Sequence, residues 1–429
     1  MNEAALSRLL FFMIPLSPFL TVFLALYLFV AVLDTALDLV NATHLKKRSG
    51  EVPEAFSDLL DPGKLKQMVQ YSAARAKLGL VEGIVGRLVF VGVILSGLIP
   101  AFQKTIADLG MLPGGLLFFA VLGFVSALFD IPFEGYRIFG IEERFGFNTT
   151  TLGLWLRDLL KSSVLSLILG GGLLAVLLLV ILHAGKAWWI WAWAVFLAFQ
   201  CLVLVLYPVL IAPLFNKFTA MEDHPLAGRI RDMAERQGLR VKGIFRMDAG
   251  KRSRHTNAYL AGLGKTKRIV LFDTLLEAHG EEEILAVLAH EIGHLKKHHM
   301  VKQLVLMGVV SALLFYLAAA VMTWHGLYES FGFSGPTAYV GLLLVGFLWE
   351  PVGFFLSPLA MALSRGFEKE ADRYASTVMS GPESLVGALK KMVLDNLSNL
   401  FPHPLYVIFH YSHPPVPERI ACLSALRAP

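Results

Sequence analysis

Apolar residues in this chain gather into seven long runs, separated by polar segments in which Lys and Arg cluster. The runs are roughly Leu9–Leu33, Leu88–Phe102, Leu112–Phe133, Ser163–His183, Ala187–Phe215, Val301–Trp324 and Ala338–Leu363. A helix that crosses a bilayer needs about 20 apolar residues, so the pattern predicts seven spans. The second is short unless it extends back past Arg87, and the fifth and seventh are long enough to tilt or to project beyond the bilayer. The first exceeds a signal-peptide core and shows no small-residue cleavage pattern, which makes it a retained span. The longest mainly polar stretch, 216–300, alternates differently. It predicts a helix over His224–Gln237, short strands at Gly243–Met247, Ala258–Leu263 and Arg268–Phe272, and a helix from Glu281. Two regions result: a membrane region over 1–215, and a region over 216–429 that holds the chemical motifs with spans six and seven.

Composition agrees with lipid as the solvent. Of 429 residues, 56% are hydrophobic and 17% charged, where a soluble domain carries about a quarter charged. The net charge of +5 is not spread evenly. Lys46, Lys47, Arg48, Lys64, Lys66, Arg75 and Lys77 follow span one; Arg137, Arg144, Arg157 and Lys161 follow span three. Further Lys and Arg follow spans five and seven, while the alternate loops hold only Lys104 and Lys186. By the positive-inside rule the N-terminus lies outside and the C-terminus in the cytosol. Segments 216–300 and 364–429 then share the cytosolic side. The charge pattern is one of membrane topology and not of nucleic-acid binding. Cys201 and Cys422 are too few for a thiolate metal cage, so any metal site must use His and carboxylate.

The sharpest chemical signal is His290-Glu291-Ile292-Gly293-His294, inside a helical pattern of Ile284, Leu285, Val287, Leu288 and Ile292. Positions i and i+4 share a helix face. His290 and His294 can therefore bind one zinc ion while Glu291 reaches the metal's water as general base. His298 and His299 follow two lysines at the membrane edge and read as interfacial residues. A catalytic zinc needs a third protein ligand. In Ser364–Arg373, helical spacing puts Glu368 and Asp372 on one face and turns Glu370 elsewhere. Glu368 is the candidate ligand, and Asp372 the acceptor for a ligand histidine's other N–H. His413, in the stiff turn Tyr411-Ser412-His413-Pro414-Pro415, is either a donor to a developing oxyanion or a turn histidine. Glu350, mid-span beside Pro351, either lines a hydrated interior or is a protonated or Arg-paired structural carboxyl.

These residues do not stand alone. Glu142-Glu143-Arg144-Phe145-Gly146-Phe147-Asn148, Ala212-Pro213-Leu214-Phe215-Asn216-Lys217-Phe218, Arg254-His255-Thr256-Asn257-Ala258-Tyr259, the pair Glu368 and Asp372, and Ser412-His413-Pro414-Pro415 with Glu418-Arg419 accompany HEIGH. Over nearly its whole length the chain resembles the CAAX prenyl protease 1 family, integral-membrane zinc proteases that process prenylated C-a-a-X proteins. The resemblance implies a mainly α, polytopic fold. Seven helices would enclose a water-filled chamber, joined to a cytosolic, helical zincin-type catalytic region with a small β-sheet. It implies one catalytic zinc on His290, His294 and Glu368, and Asn257, Ala258 and Tyr259 as an edge strand that pairs with substrate backbone. It also implies His413 and Arg419 as support for the transition state and the site. The chain lacks the long polar insertion before HEIGH and the C-terminal retention signal common in eukaryotic members, and so resembles a bacterial one. That suggests a bacterial inner membrane, or the endoplasmic reticulum membrane for a eukaryotic source. The expected function is a zinc endopeptidase that cuts prenylated C-a-a-X-type or other membrane-associated polypeptides by attack of zinc-bound water. The alternatives are a quality-control protease for membrane proteins, or a transporter in which HEIGH is incidental.

Overall fold

A computed structural model describes residues 14–262 and 267–426. Seven helices are long and apolar enough to cross a membrane, as the hydropathy pattern predicts. Four of the first five open the chain: α1 (Pro18–Lys47), α2 (Pro62–Leu95), α3 (Met111–Tyr136) and α4 (Leu152–His183). The fifth, α5 (Trp188–Leu206), follows. The predicted start of span one at Leu9 lies outside the described residues. Span two reaches much further back than its apolar run, because Asp61 caps the N-terminus by accepting from the amides of Gly63 and Lys64. α3 and α5 each end in a π-helical turn, over Arg137–Glu142 and Tyr207–Ile211. In the most apolar windows of spans three, four and five only 6% of residues are buried within the protein. Leu156, Leu160, Leu167, Leu202 and Val205 are exposed, a large apolar surface that is stable against lipid. The chain is therefore an integral membrane protein.

The polar region begins with β1 (Phe218–Ala220), which the sequence pattern did not predict, and α6 (Pro225–Arg236). It continues through β2 (Gly243–Met247), β3 (Ala258–Ala261) and β4 (Arg268–Phe272). The strands form one sheet in the order β1-β2-β4-β3, with β2 and β4 parallel and both outer pairs antiparallel. β3 is thus an edge strand; the predicted end at Leu263 lies outside the described residues. Ile244, Ile269 and Leu271 from the sheet pack with Leu226 and Ile230 of α6 and with Ile284 and Leu288. The last two belong to α7 (Glu281–Lys296).

α8 (His299–Val321) and α9 (Ala338–Val378) are spans six and seven. α9 is one unbroken helix of 41 residues, despite Pro351 and Pro358. Its apolar part and the Ser364–Arg373 segment are therefore a single rod, and Glu368 leaves the bilayer on the same helix that crossed it. Glu350 on α9 is exposed and forms no ion pair among the described residues. Arg87, whose charge reaches Glu350, makes its hydrogen bonds to Asp34 and Thr35. The chain closes with α10 (Glu383–Asp395), α11 (Pro404–His410) and α12 (Val416–Ala425).

Candidate active site

α7 starts with three acids, Glu281, Glu282 and Glu283, where the helix dipole favours negative charge. Glu283 also accepts from the Gly280 amide at 3.0 Å. One side of the helix buries Ile284, Leu285, Leu288 and Ile292, which fixes its rotation. His290 and His294 then face the same way, their Nε2 atoms 3.2 Å apart. α9 crosses α7 at Gly293, where an added Cβ would lie 3.1 Å from the Ala371 Cα and 3.2 Å from its carbonyl oxygen. Only the missing side chain lets the helices come this close.

The crossing delivers Glu368. Its Oε2 lies 3.4 Å from His290 Nε2, and its Oε1 lies 3.3 Å from His294 Nε2. One ligand atom from each of the three residues falls within 4.8 Å of the others. Glu368 is buried, and its Oε2 has no hydrogen-bond partner. A buried carboxylate oxygen that forms no hydrogen bond, with His290 Nε2 at 3.4 Å and Arg419 Nη1 at 3.8 Å, fits a cation, since burial without a hydrogen bond is costly. This donor set of two nitrogens and one oxygen suits zinc. Asp372, one turn beyond Glu368, places Oδ1 2.8 Å from His290 Nδ1. In the neutral ring, the form that binds a metal, that contact sets the tautomer: Nδ1 carries the proton and donates to Asp372, leaving Nε2 bare. Arg419 of α12 grips Asp372 with both arms, Nε to Oδ2 at 2.9 Å and Nη2 to Oδ1 at 2.6 Å.

Glu291 points from α7 into this space and makes no hydrogen bond or ion pair among the described residues. Burial raises its carboxyl above the ordinary value, while the charges of His290 and His294 pull partly the other way. His413 brings Nε2 to 3.3 Å from Glu368 Oε1, and its Nδ1 lies 2.9 Å from Ser412 Oγ. The edge strand runs beside α7: Leu260 packs against the buried clusters to which Ile284, Leu288 and Ile292 belong. In the register with β4, Phe272 donates to the Asn257 carbonyl, and Tyr259 lies opposite Val270. Alternation therefore leaves the backbone of Ala258 and Leu260 directed away from β4. The Asn257 carboxamide oxygen accepts from the Ala258 amide at 2.8 Å.

Three contacts escaped the sequence reading. His299 is not interfacial but 2% exposed, with Nδ1 3.0 Å from His294 Nδ1. Arg365, one turn before Glu368, donates to the carbonyls of Val407 and Tyr411 at 2.9 and 2.8 Å, pinning the turn that carries His413. The loop before β3 docks on the ends of the spans. There His255 lies between Glu142 and Asn396, stacked on Phe147 with centroids 4.1 Å apart. Arg252 bonds to Asp158, Asn216 and the Phe215 carbonyl. Those residues sit in or beside the segments singled out in the sequence, and only their convergence in space shows what they hold.

A fold of seven membrane helices whose HExxH helix meets a carboxylate from the last span defines an integral-membrane metalloprotease. Residues 41–217 match the family model described as CAAX prenyl protease N-terminal, five membrane helices, and residues 220–427 match peptidase family M48. The chain is 33% identical to a CAAX prenyl protease 1 homolog of Arabidopsis thaliana, over 95% of this chain and 97% of that protein. It is 34% identical to CAAX prenyl protease 1 of Saccharomyces cerevisiae, over 87% and 88%. The crystal structure of S. mikatae Ste24p superposes with a TM-score of 0.88 at 31% identity, covering 95% of this chain and 99% of that one. The chain belongs to the CAAX prenyl protease 1 family, within peptidase family M48.

Proposed function

We propose that the protein is a zinc-dependent endopeptidase that cuts prenylated C-a-a-X-type or other membrane-associated polypeptides. Its catalytic part would be residues 216–429, served by a membrane region over 1–215. The observation that supports this most directly is the facing of both Glu368 oxygens toward the Nε2 atoms of His290 and His294. Zinc held by these three residues would supply Lewis acidity, polarising the scissile carbonyl and acidifying water. Glu291, unpaired and with its affinity for a proton raised by burial, takes a proton from the attacking water and passes it to the leaving amine. His413 donates to the developing oxyanion. Asp372 and Arg419 hold His290 in the tautomer that leaves Nε2 bare. Asn257, Ala258 and Tyr259 would line the open edge of β3, whose outward backbone at Ala258 and Leu260 lets an extended substrate add as a further strand. Strand addition binds backbone, and so gives affinity with little demand on substrate side chains.

The loop charges support an N-terminus outside and catalytic segments in the cytosol. The membrane is a bacterial inner membrane, or that of the endoplasmic reticulum for a eukaryotic source. Substrate would approach through a chamber among the spans, with the exposed Glu350 on its wall. The test is mass spectrometry of a farnesylated C-a-a-X peptide incubated with the wild type and with Glu291→Ala. Release of the last three residues by the wild type alone supports the reading. No cleavage by a zinc-loaded wild type would instead favour a quality-control protease of membrane proteins.

A further inference from the structure

We infer that His299 positions His294, acting with Glu370 as a hydrogen-bond relay that fixes which ring nitrogen of His294 faces the metal. The inference rests on the ligand roles proposed above.

The relay begins with a break in the chain. His298 adopts φ 56° and ψ 33°, a left-handed conformation uncommon outside glycine. It ends α7 and lets α8 start at His299 in a new direction. Had α7 continued, His299 would stand about 140° around the helix from His294. The break folds it back instead. His299 Nδ1 comes within 3.0 Å of His294 Nδ1, and His299 Nε2 within 3.0 Å of Glu370 Oε2. The ring is 2% exposed and stacks on Phe367 with centroids 4.3 Å apart and planes 13° from parallel. Phe367 and Glu370 flank Glu368 on α9, so the relay ties His294 to the helix that supplies the carboxylate.

Proton bookkeeping then leaves one arrangement. His294 Nε2 faces His290 and Glu368, and must be bare to bind a cation. Its proton therefore sits on Nδ1 and is donated to His299. Two nitrogens 3.0 Å apart can share only one proton, so His299 Nδ1 is bare and Nε2–H donates to Glu370. The two ligand histidines thus differ. His290 donates directly to a carboxylate that Arg419 also holds. His294 donates to a neutral imidazole, with its carboxylate one ring further away.

The experiment is zinc affinity of the metal-stripped, full-length protein, measured by competition with a chelator. His299→Phe keeps a ring on Phe367 but offers His294 no acceptor. His299→Asn loses the ring but places an oxygen near the position of Nδ1. Loss of a partner that orients a ligand costs about 10- to 100-fold in metal affinity, and His299→Phe should show that loss while His299→Asn recovers most of it. A packing role predicts the opposite order, and wild-type affinity in His299→Phe, or Asn binding more weakly than Phe, overturns the relay. His294→Ala separates the two readings. If it binds zinc like the wild type, the ligand assignment itself is wrong; if it does not, the His299 result judges the relay alone.

Discussion

Replacing Gly293 with alanine adds one methyl group at the point where α7 and α9 cross. That Cβ would lie 3.1 Å from Ala371 Cα and 3.2 Å from both Ala371 O and Tyr374 Cβ. Ordinary carbon contacts lie at about 3.5–4.0 Å, so the helices must part by roughly 0.3–0.8 Å. Two of the three atoms are backbone, and no side-chain rotation relieves them. Overpacking of this kind costs about 1–3 kcal/mol. Alanine returns about 1 kcal/mol of helix propensity over glycine, which leaves a net loss of about 0–2 kcal/mol. The greater effect falls on the site, because the displacement separates His290 and His294 on one helix from Glu368 on the other. Metal–ligand distances tolerate about 0.2 Å, and an error of about 1 Å in a catalytic group costs about 100-fold. Gly293→Ala should therefore lose about 10- to 100-fold in kcat/KM on a fluorogenic peptide and retain less zinc by elemental analysis. Gly366, also on α9, has nothing within 4 Å of an added Cβ. Gly366→Ala should keep full activity and gain up to about 1 kcal/mol. Wild-type turnover and zinc content in Gly293→Ala, or an equal loss in Gly366→Ala, would refute the reasoning.

Glu291→Gln should lower turnover by about 100- to 10,000-fold with zinc content unchanged; loss of the metal as well would make Glu291 a ligand and not a base. Arg419→Ala leaves the buried Asp372 without its bidentate partner. Breaking such a pair costs about 3–5 kcal/mol, visible in thermal unfolding of the zinc-free protein, and unchanged stability would show the pair to be solvated. Burial alone would lower the pKa of His290, but the hydrogen bond to Asp372 and the Glu368 carboxylate beside the ring push it up to about 9 in the metal-free protein. A raised pKa means that the proton is held at neutral pH, stabilising the metal-free fold below about 6.5 and ceasing to do so as pH rises through about 9. Zinc must displace that proton, so affinity in chelator competition should rise about tenfold per pH unit between about 7 and 9 and then level off. A flat profile would contradict a protonated His290.

Much of the architecture was legible because its causes are local. Lipid demands long apolar runs, so all seven spans could be counted, although hydropathy could not see where α2 continues into water back to Pro62. The i, i+4 spacing put His290 and His294 on one face. Their pairing with Glu368 needed the further inference that two segments over 70 residues apart share a membrane side. β2, β4 and the start of α7 fell where alternation and charge predicted. β1 did not, because three residues, FTA, are too short to show a period.

The His299 result marks the boundary most clearly. From the sequence, KKHH after HEIGH reads as a basic membrane edge, since composition carries no information about a single left-handed residue. Once His298 turns the chain, the same histidine is buried against His294. Hydropathy and helical spacing are properties of neighbours along the chain, and they determined the number of spans, the HExxH helix and the type of each candidate ligand. Whether α7 and α9 approach closely enough to share a metal depends on the absent Cβ of Gly293 meeting Ala371, a contact between distant segments. That depends on packing in three dimensions, and it was decided only by the tertiary structure.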